Sequence, residues 1–391
     1  MRSTRIVITL FFFADGLLLG SWASRIPGVQ AQASLNNTGL GLALFASSVG
    51  ALVAMPVAGR LCERIGSNRV TVAAVLVASA CLFGASTASG LVALALGLFG
   101  FGAGFGSVNV AANTQGIALE RVYGRTILSA FHAAFSIGGL SGAAGGALAA
   151  RIGVTPRAHI GVLAALVTVS ALALGPRLLR SERAVASPPR TLVRPPRAVL
   201  LLGAAAFCTL LAEGSAADWS ATYLTQSLAA TAAVAGLGYA TFSFAMATSR
   251  MLGDRLARRL GPVSLARAGG VVAAAGLTTA LGAGWTPLAL AGFAAMGAGL
   301  GVVVPVLFRA AGATPGVSPS VGVAAVSSIG WLGFLAGPPA IGFVAGAVGL
   351  RAALVIVVVA IVALVFLASA APQTSGAAVA GPLDEAVSGT A

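Results

Sequence analysis

The stretch FFFADGLLLGSW at 11–22 sets Asp15 in the middle of an apolar run that extends from Ile6 to Ala23. A second run, Ala198–Trp219, contains LLAEGSAADW at 210–219 and carries Glu213. Ala14-Asp15-Gly16 matches Ala212-Glu213-Gly214, and Trp22 matches Trp219 with one gap. The chain therefore reads as an internal duplication, with a carboxyl at the same depth of the first hydrophobic segment of each half. A charge in hydrocarbon costs about 2.5–3.5 kcal/mol on insertion scales. Such a residue is normally retained because it faces a polar cavity and works there.

Composition places both runs in a membrane. Of 391 residues, 58% are apolar and 8% charged, with a mean hydropathy of +0.98. A soluble domain carries roughly 25% charged residues. The net charge of +14 does not point to nucleic acid, because no basic domain is concentrated and aromatics do not interleave with the charges. The arginines fall between apolar segments instead, which is a membrane-topology pattern. Cys62, Cys81 and Cys208 lack metal spacing, and His132 and His159 complete no cluster. No metal, cofactor or catalytic constellation is expected, so an enzyme is disfavoured. The glycine run GFGAGFG at 100–106 lies inside an apolar segment, where it cannot cradle phosphate. Arg2, Arg5 and Ser21-Trp22-Ala23 imitate a cleavable signal peptide. Asp15 breaks the apolar core of that reading, and a retained first transmembrane helix is expected.

Apolar segments of about 20 residues match a hydrocarbon core. Twelve are expected, near 6–24, 38–59, 70–88, 91–115, 127–149 and 158–176, then 198–222, 233–252, 264–284, 286–308, 320–346 and 350–371. The expected organisation is a six-helix bundle at 1–176, an Arg/Pro-rich linker at 177–197, a second six-helix bundle at 198–371 and a disordered tail at 372–391. Counted by span, 19 of 23 arginines, Arg250 among them, fall on the N-terminal side of the membrane. The positive-inside rule then puts both termini and the linker in the cytoplasm. The duplication continues beyond the first helices. GLFGFGAGFGSVNVAAN at 97–113 aligns with GFAAMGAGLGVVVPVLF at 292–308, so that Gly102, Gly104 and Gly106 match Gly297, Gly299 and Gly301. An all-α membrane protein of twelve helices in two pseudo-symmetric six-helix bundles, repeated in parallel, is a secondary-transporter architecture.

One segment carries a family resemblance. GRLCERIGSNR at 59–69 resembles the loop between spans two and three of the major facilitator superfamily, Gly-x-Leu-x-Asp-Arg-x-Gly-Arg-Arg, through Gly59, Leu61, Arg64, Gly66 and Arg69. Glu63 stands for the usual Asp, and Asn68 for one basic residue. A looser copy, GDRLARRLG at 253–261, carries Asp254. The resemblance implies that Gly59, Glu63, Arg64, Gly66, Arg69 and Asp254 form a conformational latch between the halves. SAFHAAFSIGGLSGA at 129–143 and SSIGWLGFLAGPPAIG at 327–342 are similar to the fucose-permease-like branch. That branch implies proton-linked movement of small polar solutes, often sugars, in a bacterial inner membrane. The carboxylate its span four would carry is replaced here by Asn109, Asn113 and Gln115.

Several side chains are candidates for the work. Asp15 and Glu213 suit proton coupling, because a carboxyl is costly when charged in low dielectric; the alternative is a packing role. Asp218 lies five residues after Glu213, about 140° around the helix, and is a further proton candidate or a partner for Arg25 in a gate. Gly102, Gly106, Asn109 and Asn113 share one helical face, for substrate hydrogen bonds or for interhelical amide bonds worth about 0.6 kcal/mol. His132 joins Ser129, Ser136 and Gly139 on one face of span five, as a substrate ligand or a packing histidine. Trp22, Trp219 and Trp331 suit stacking on a sugar ring or anchoring at the interface. Pro305 and Pro338-Pro339 mark bending sites.

The expected function is a secondary active, proton-coupled transporter using rocker-switch alternating access. Its partners are a small-molecule substrate, protons and the lipid bilayer, with no nucleic acid, and the chain is expected to be a monomer. A proton-driven exporter of drugs or amphipathic metabolites and a non-transporting sensor on the same fold remain open alternatives.

Overall fold

Apolar sequence without strand punctuation gives helices throughout. A computed structural model describes residues 2–124, 127–180, 196–317 and 319–368, and among these there is no β-strand. The first half contains α1 (Arg2–Gln32), α2 (Asn37–Ile65), α3 (Ser67–Ser86), α4 (Leu91–Tyr123), α5 (Leu128–Arg151) and α6 (Pro156–Leu174). The second contains α7 (Arg197–Leu228), α8 (Ala232–Ala235), α9 (Leu237–Leu260), α10 (Pro262–Gly282), α11 (Thr286–Leu300), α12 (Val303–Gly312), α13 (Pro319–Val348), α14 (Leu350–Ala353) and α15 (Val355–Leu367). Pairing α11 with α12 and α14 with α15, and joining α8 to α9, gives twelve crossing segments.

Eleven segments among the described residues are long and apolar enough to cross a membrane. The remaining one, α9, is too polar by that measure, since Arg250, Asp254, Arg255, Arg258 and Arg259 all lie within it. The break between α11 and α12 at Gly301–Val302 has a local cause. Pro305 lacks an N–H, and its ring collides with the carbonyl four residues back, that of Gly301. Pro338 and Pro339, by contrast, lie inside the continuous α13.

The pairing of helices repeats. α1 packs on α5 as α7 packs on α13, and α4 packs on α2 and α3 as α11 packs on α9 and α10. The aligned glycines follow the same rule. A Cβ at Gly102 or Gly106 would meet Ser47 or Ala51 of α2, and one at Gly104 would meet Ala78 of α3. In the other half Gly297 and Gly301 face Phe242 and Ser249 of α9, while Gly299 faces Gly269 of α10. The α1–α5 seam is similarly tight: a Cβ at Gly16 or Gly20 would fall 2.0 Å from the Phe135 or Gly139 carbonyl oxygen. Gly138 and Gly142 meet Phe13 and Leu17 from the opposite side. Small residues four apart let two backbones touch where lipid supplies no hydrophobic drive between helices.

The halves meet through α2 against α13 and α5 against α9, two contacts that the repeat exchanges. α1 begins on one face of the bundle, and the chain returns to that face near Arg177 and leaves it at Arg197; this is the linker face. Linker residues 181–195 and tail residues 369–391 lie outside the described residues. Cross-half hydrogen bonds run from mid-depth to the opposite, distal face. There Asn37 and Gln226 exchange two amide bonds, each 3.0 Å, and Gln226 also donates to Gln30 Oε1 at 3.4 Å. At the same end Thr38 donates to the Gly342 carbonyl at 3.3 Å, and nearer the middle Ser48 donates to the Phe334 carbonyl at 2.9 Å.

Candidate functional site

The α1–α5 seam fixes the site. Asp15 precedes Gly16 on α1, and His132 lies on α5 one turn before Ser136. With α4 they enclose a cavity of about 50 Å³ lined by Phe12, Asp15, Val108, Asn109, Ala112, His132 and Phe135. Asp15 is buried at 4% exposure, and its Oδ1 has no hydrogen-bond partner. A buried polar atom without a partner is costly, so the sequence retains it against a stability gradient. Asn109, Asp15 and His132, singled out separately in the sequence, thus come together around one space. Asn113 stands behind them: its Oδ1 lies 3.2 Å from His132 Nε2, and its Nδ2 donates to the Asn109 carbonyl at 2.7 Å. Phe12 meets the His132 ring edge-on, with centroids 5.4 Å apart. The histidine is therefore held from two sides.

A second polar group adjoins this cavity from the other half. Glu213 Oε1 lies 3.6 Å from Arg250 Nη2, and Arg250 Nη1 is 3.4 Å from Ser136 Oγ. Ser136 in turn donates to the His132 carbonyl at 3.2 Å. Tyr239, buried on α9, lies near Glu213 and Arg250. Arg250 corrects the arginine count made on sequence. It is not a loop residue, because α9 continues for ten residues beyond it, to Leu260. The acid on α7 needs a counter-charge at its depth, and a basic residue inside the least apolar span is the signal that finds it.

No protein-family model matches the chain. Full-length relatives do. An uncharacterised MFS-type transporter of Yersinia pestis is 35% identical over 343 residues, spanning 88% of this chain and 89% of that protein. The chain belongs to the major facilitator superfamily. An uncharacterised transporter of Sinorhizobium fredii is 36% identical over 346 residues, spanning 87% of this chain and 90% of its own length. The fold is shared with the nucleoside transporter NupG, in a variant form, at TM-score 0.77, 14% identity and 94% and 99% coverage. It is shared with a D-xylose–proton symporter at TM-score 0.72, 17% identity and 95% and 99% coverage. The chain is thus a multi-pass membrane protein and a facilitator-superfamily transporter, not an enzyme.

Other residues of this facilitator-superfamily chain stand away from the cavity. Trp22 and Trp219 are 2% and 0% exposed and belong to the hydrophobic core, so they do not present a ring to a solute in this conformation. Trp331 is half-buried and packs on Phe334, centroids 5.3 Å apart. Arg25 does not pair with Asp218. Its guanidinium donates instead to the carbonyls of Gly146, at 3.2 Å, and of Val154, beyond the end of α5. Both oxygens belong to its own half, Gly146 inside α5 and Val154 in the connection to α6.

The latch segment is not a loop either. Gly59, Glu63 and Arg64 lie in α2 and Arg69 in α3, with Gly66 alone between the helices. Glu63, Arg64 and Arg69 are exposed on the linker face. The side chain of Asp254 lies outside the described residues.

Proposed function

We propose that this transporter moves a small polar solute in exchange for, or together with, protons, by alternating access between its halves. The observation that carries this reading is the buried, unpartnered Asp15 carboxyl beside Asn109 and His132 in one cavity. Such a group is a proton site because gaining a proton removes a charge that low dielectric penalises, and the amide and imidazole offer donors and acceptors to a hydroxylated ligand. Two proteins of the same fold are named for D-xylose–proton symport and nucleoside transport, which is the solute class proposed. Within this reading Asp15 carries the proton, Asn109 and His132 touch the solute, Asn113 orients His132, and the 59–69 segment latches the halves.

The orientation belongs to the same proposal. With Arg250 moved into the interior, eighteen arginines of 23 still gather toward the linker face, which supports a cytoplasmic linker and cytoplasmic termini in a bacterial inner membrane. The halves are then bonded together on the external side and their latch residues are exposed inside. This conformation opens toward the cytoplasm. Purified protein in liposomes, given an inward pH gradient and a panel of labelled sugars, tests the coupling. Accumulation that collapses with a protonophore is expected; gradient-independent equilibration of every substrate taken up defeats it.

A further inference from the structure

Arg250 is a permanent cation at mid-depth, and its coordination is incomplete. A guanidinium has five N–H donors arranged as a planar fork. Here it makes one contact of 3.6 Å to a single oxygen of Glu213 and one of 3.4 Å to Ser136. Both are long for charge-assisted bonds, which cluster near 2.7–2.9 Å, and neither is bidentate. The two side chains keep 25% and 18% of their surface open. A pair that served packing alone would be close, two-pronged and sealed, because only that geometry offsets desolvation of both ions. Arg250 also lies close enough to act electrostatically on His132, a wall of the Asp15 cavity. The acidic and phenolic groups facing it are Glu213 and Tyr239.

We infer that Arg250 is the receptor for a carboxylate on the transported solute, so that the substrate class is a small polyhydroxylated monocarboxylate, such as a sugar acid. The inference rests on the central cavity being the solute site. The entering carboxylate takes both prongs of the fork and displaces Glu213, which has held it by one oxygen. The hydroxyls face Asn109 and His132. Glu213 is then a competitor for the cation, keeping the empty site from standing as an uncompensated charge. Arg250 reaches Ser136 on the first half and Glu213 on the second, so a ligand seated on it touches both halves at once.

The test is equilibrium binding of matched radiolabelled pairs to the purified full chain: D-glucose with D-glucuronate, D-galactose with D-galacturonate, and D-ribose with D-ribonate. At least one acid is expected to bind tenfold or more tightly than its neutral partner. Arg250→Gln should erase that preference, and Arg250→Lys should retain part of it, since the charge survives without the fork. Glu213→Gln should bind the acid at least as tightly as wild type. Circular dichroism and gel filtration verify that Arg250→Gln is folded; if it is not, Arg250→Lys and Glu213→Gln decide. The inference falls if no acid outbinds its neutral partner, if the preference survives Arg250→Gln, or if Glu213→Gln abolishes it. Proton-driven uptake of a neutral sugar alongside any of these results would leave the transport reading standing and overturn only the carboxylate.

Discussion

Gly66 and Gly261 are the same residue of the fold used twice. Each is the single non-helical position between two long helices, with φ 93° and ψ 139° at Gly66 and φ 78° and ψ 152° at Gly261. The region is close to one that essentially only glycine occupies, at a cost of about 1–3 kcal/mol for other residues. Gly66→Ala and Gly261→Ala should each lower the melting temperature of the purified protein. Gly59→Ala, in α2 with nothing within 4 Å of a new Cβ, should leave it unchanged or slightly raised. Equal effects of all three would contradict the account of the turn.

The Asp15 carboxyl predicts a separation of two activities. Asp15→Asn keeps the shape of the protonated acid but cannot exchange a proton. Solute exchange down its own gradient should persist in proteoliposomes, and accumulation driven by an imposed pH gradient should fall to background. If the variant concentrates solute as wild type does, Asp15 is not the proton site. If exchange and thermal stability vanish together, its role is packing.

His132 and Asn113 predict a graded loss. His132→Ala should weaken substrate binding about tenfold, or about 1.4 kcal/mol. Asn113→Ala should weaken it less, because its side chain acts through the 3.2 Å contact to His132. Apparent KM measured at equal expression separates the two, and a larger loss for Asn113 would reverse the assignment.

The reciprocal amide bonds between Asn37 and Gln226 predict a reversible arrest. Asn37→Cys with Gln226→Cys, in a background lacking Cys62, Cys81 and Cys208, should cross-link on oxidation. Transport should then stop, and a reductant should restore it. Full transport by the cross-linked protein would show that the distal face need not open.

Much of this was legible in the sequence, for reasons particular residues make plain. Asp15 and the glycines of α4 announced themselves because a charge or a repeated glycine in an apolar run has few uses. The alignment of Gly102, Gly104 and Gly106 with Gly297, Gly299 and Gly301 holds down to which neighbour each one touches. What failed depended on partners distant in sequence. Arg250 counted with the loop arginines although it falls inside the expected span 233–252, and the α9 helix continues to Leu260. Trp22 and Trp219 read as symmetric ligands, but symmetry also copies a core. Arg25 read as a gate because nothing in the sequence reveals that the carbonyls of Gly146 and Val154 lie within its reach.

The glycine seam between α1 and α5 sets what the cavity can measure. Asp15 and His132 stand on two helices whose backbones touch at Gly16, Gly20, Gly138 and Gly142, so any rigid-body rocking of the halves leaves their separation unchanged. Ser136 and Arg250 stand on opposite halves, and theirs must change. Under the proposed transport cycle the site would work like a caliper with one arm welded and one arm sliding: the welded arm would gauge a ligand's hydrogen bonds, and the sliding arm would register whether anything has come between the two halves.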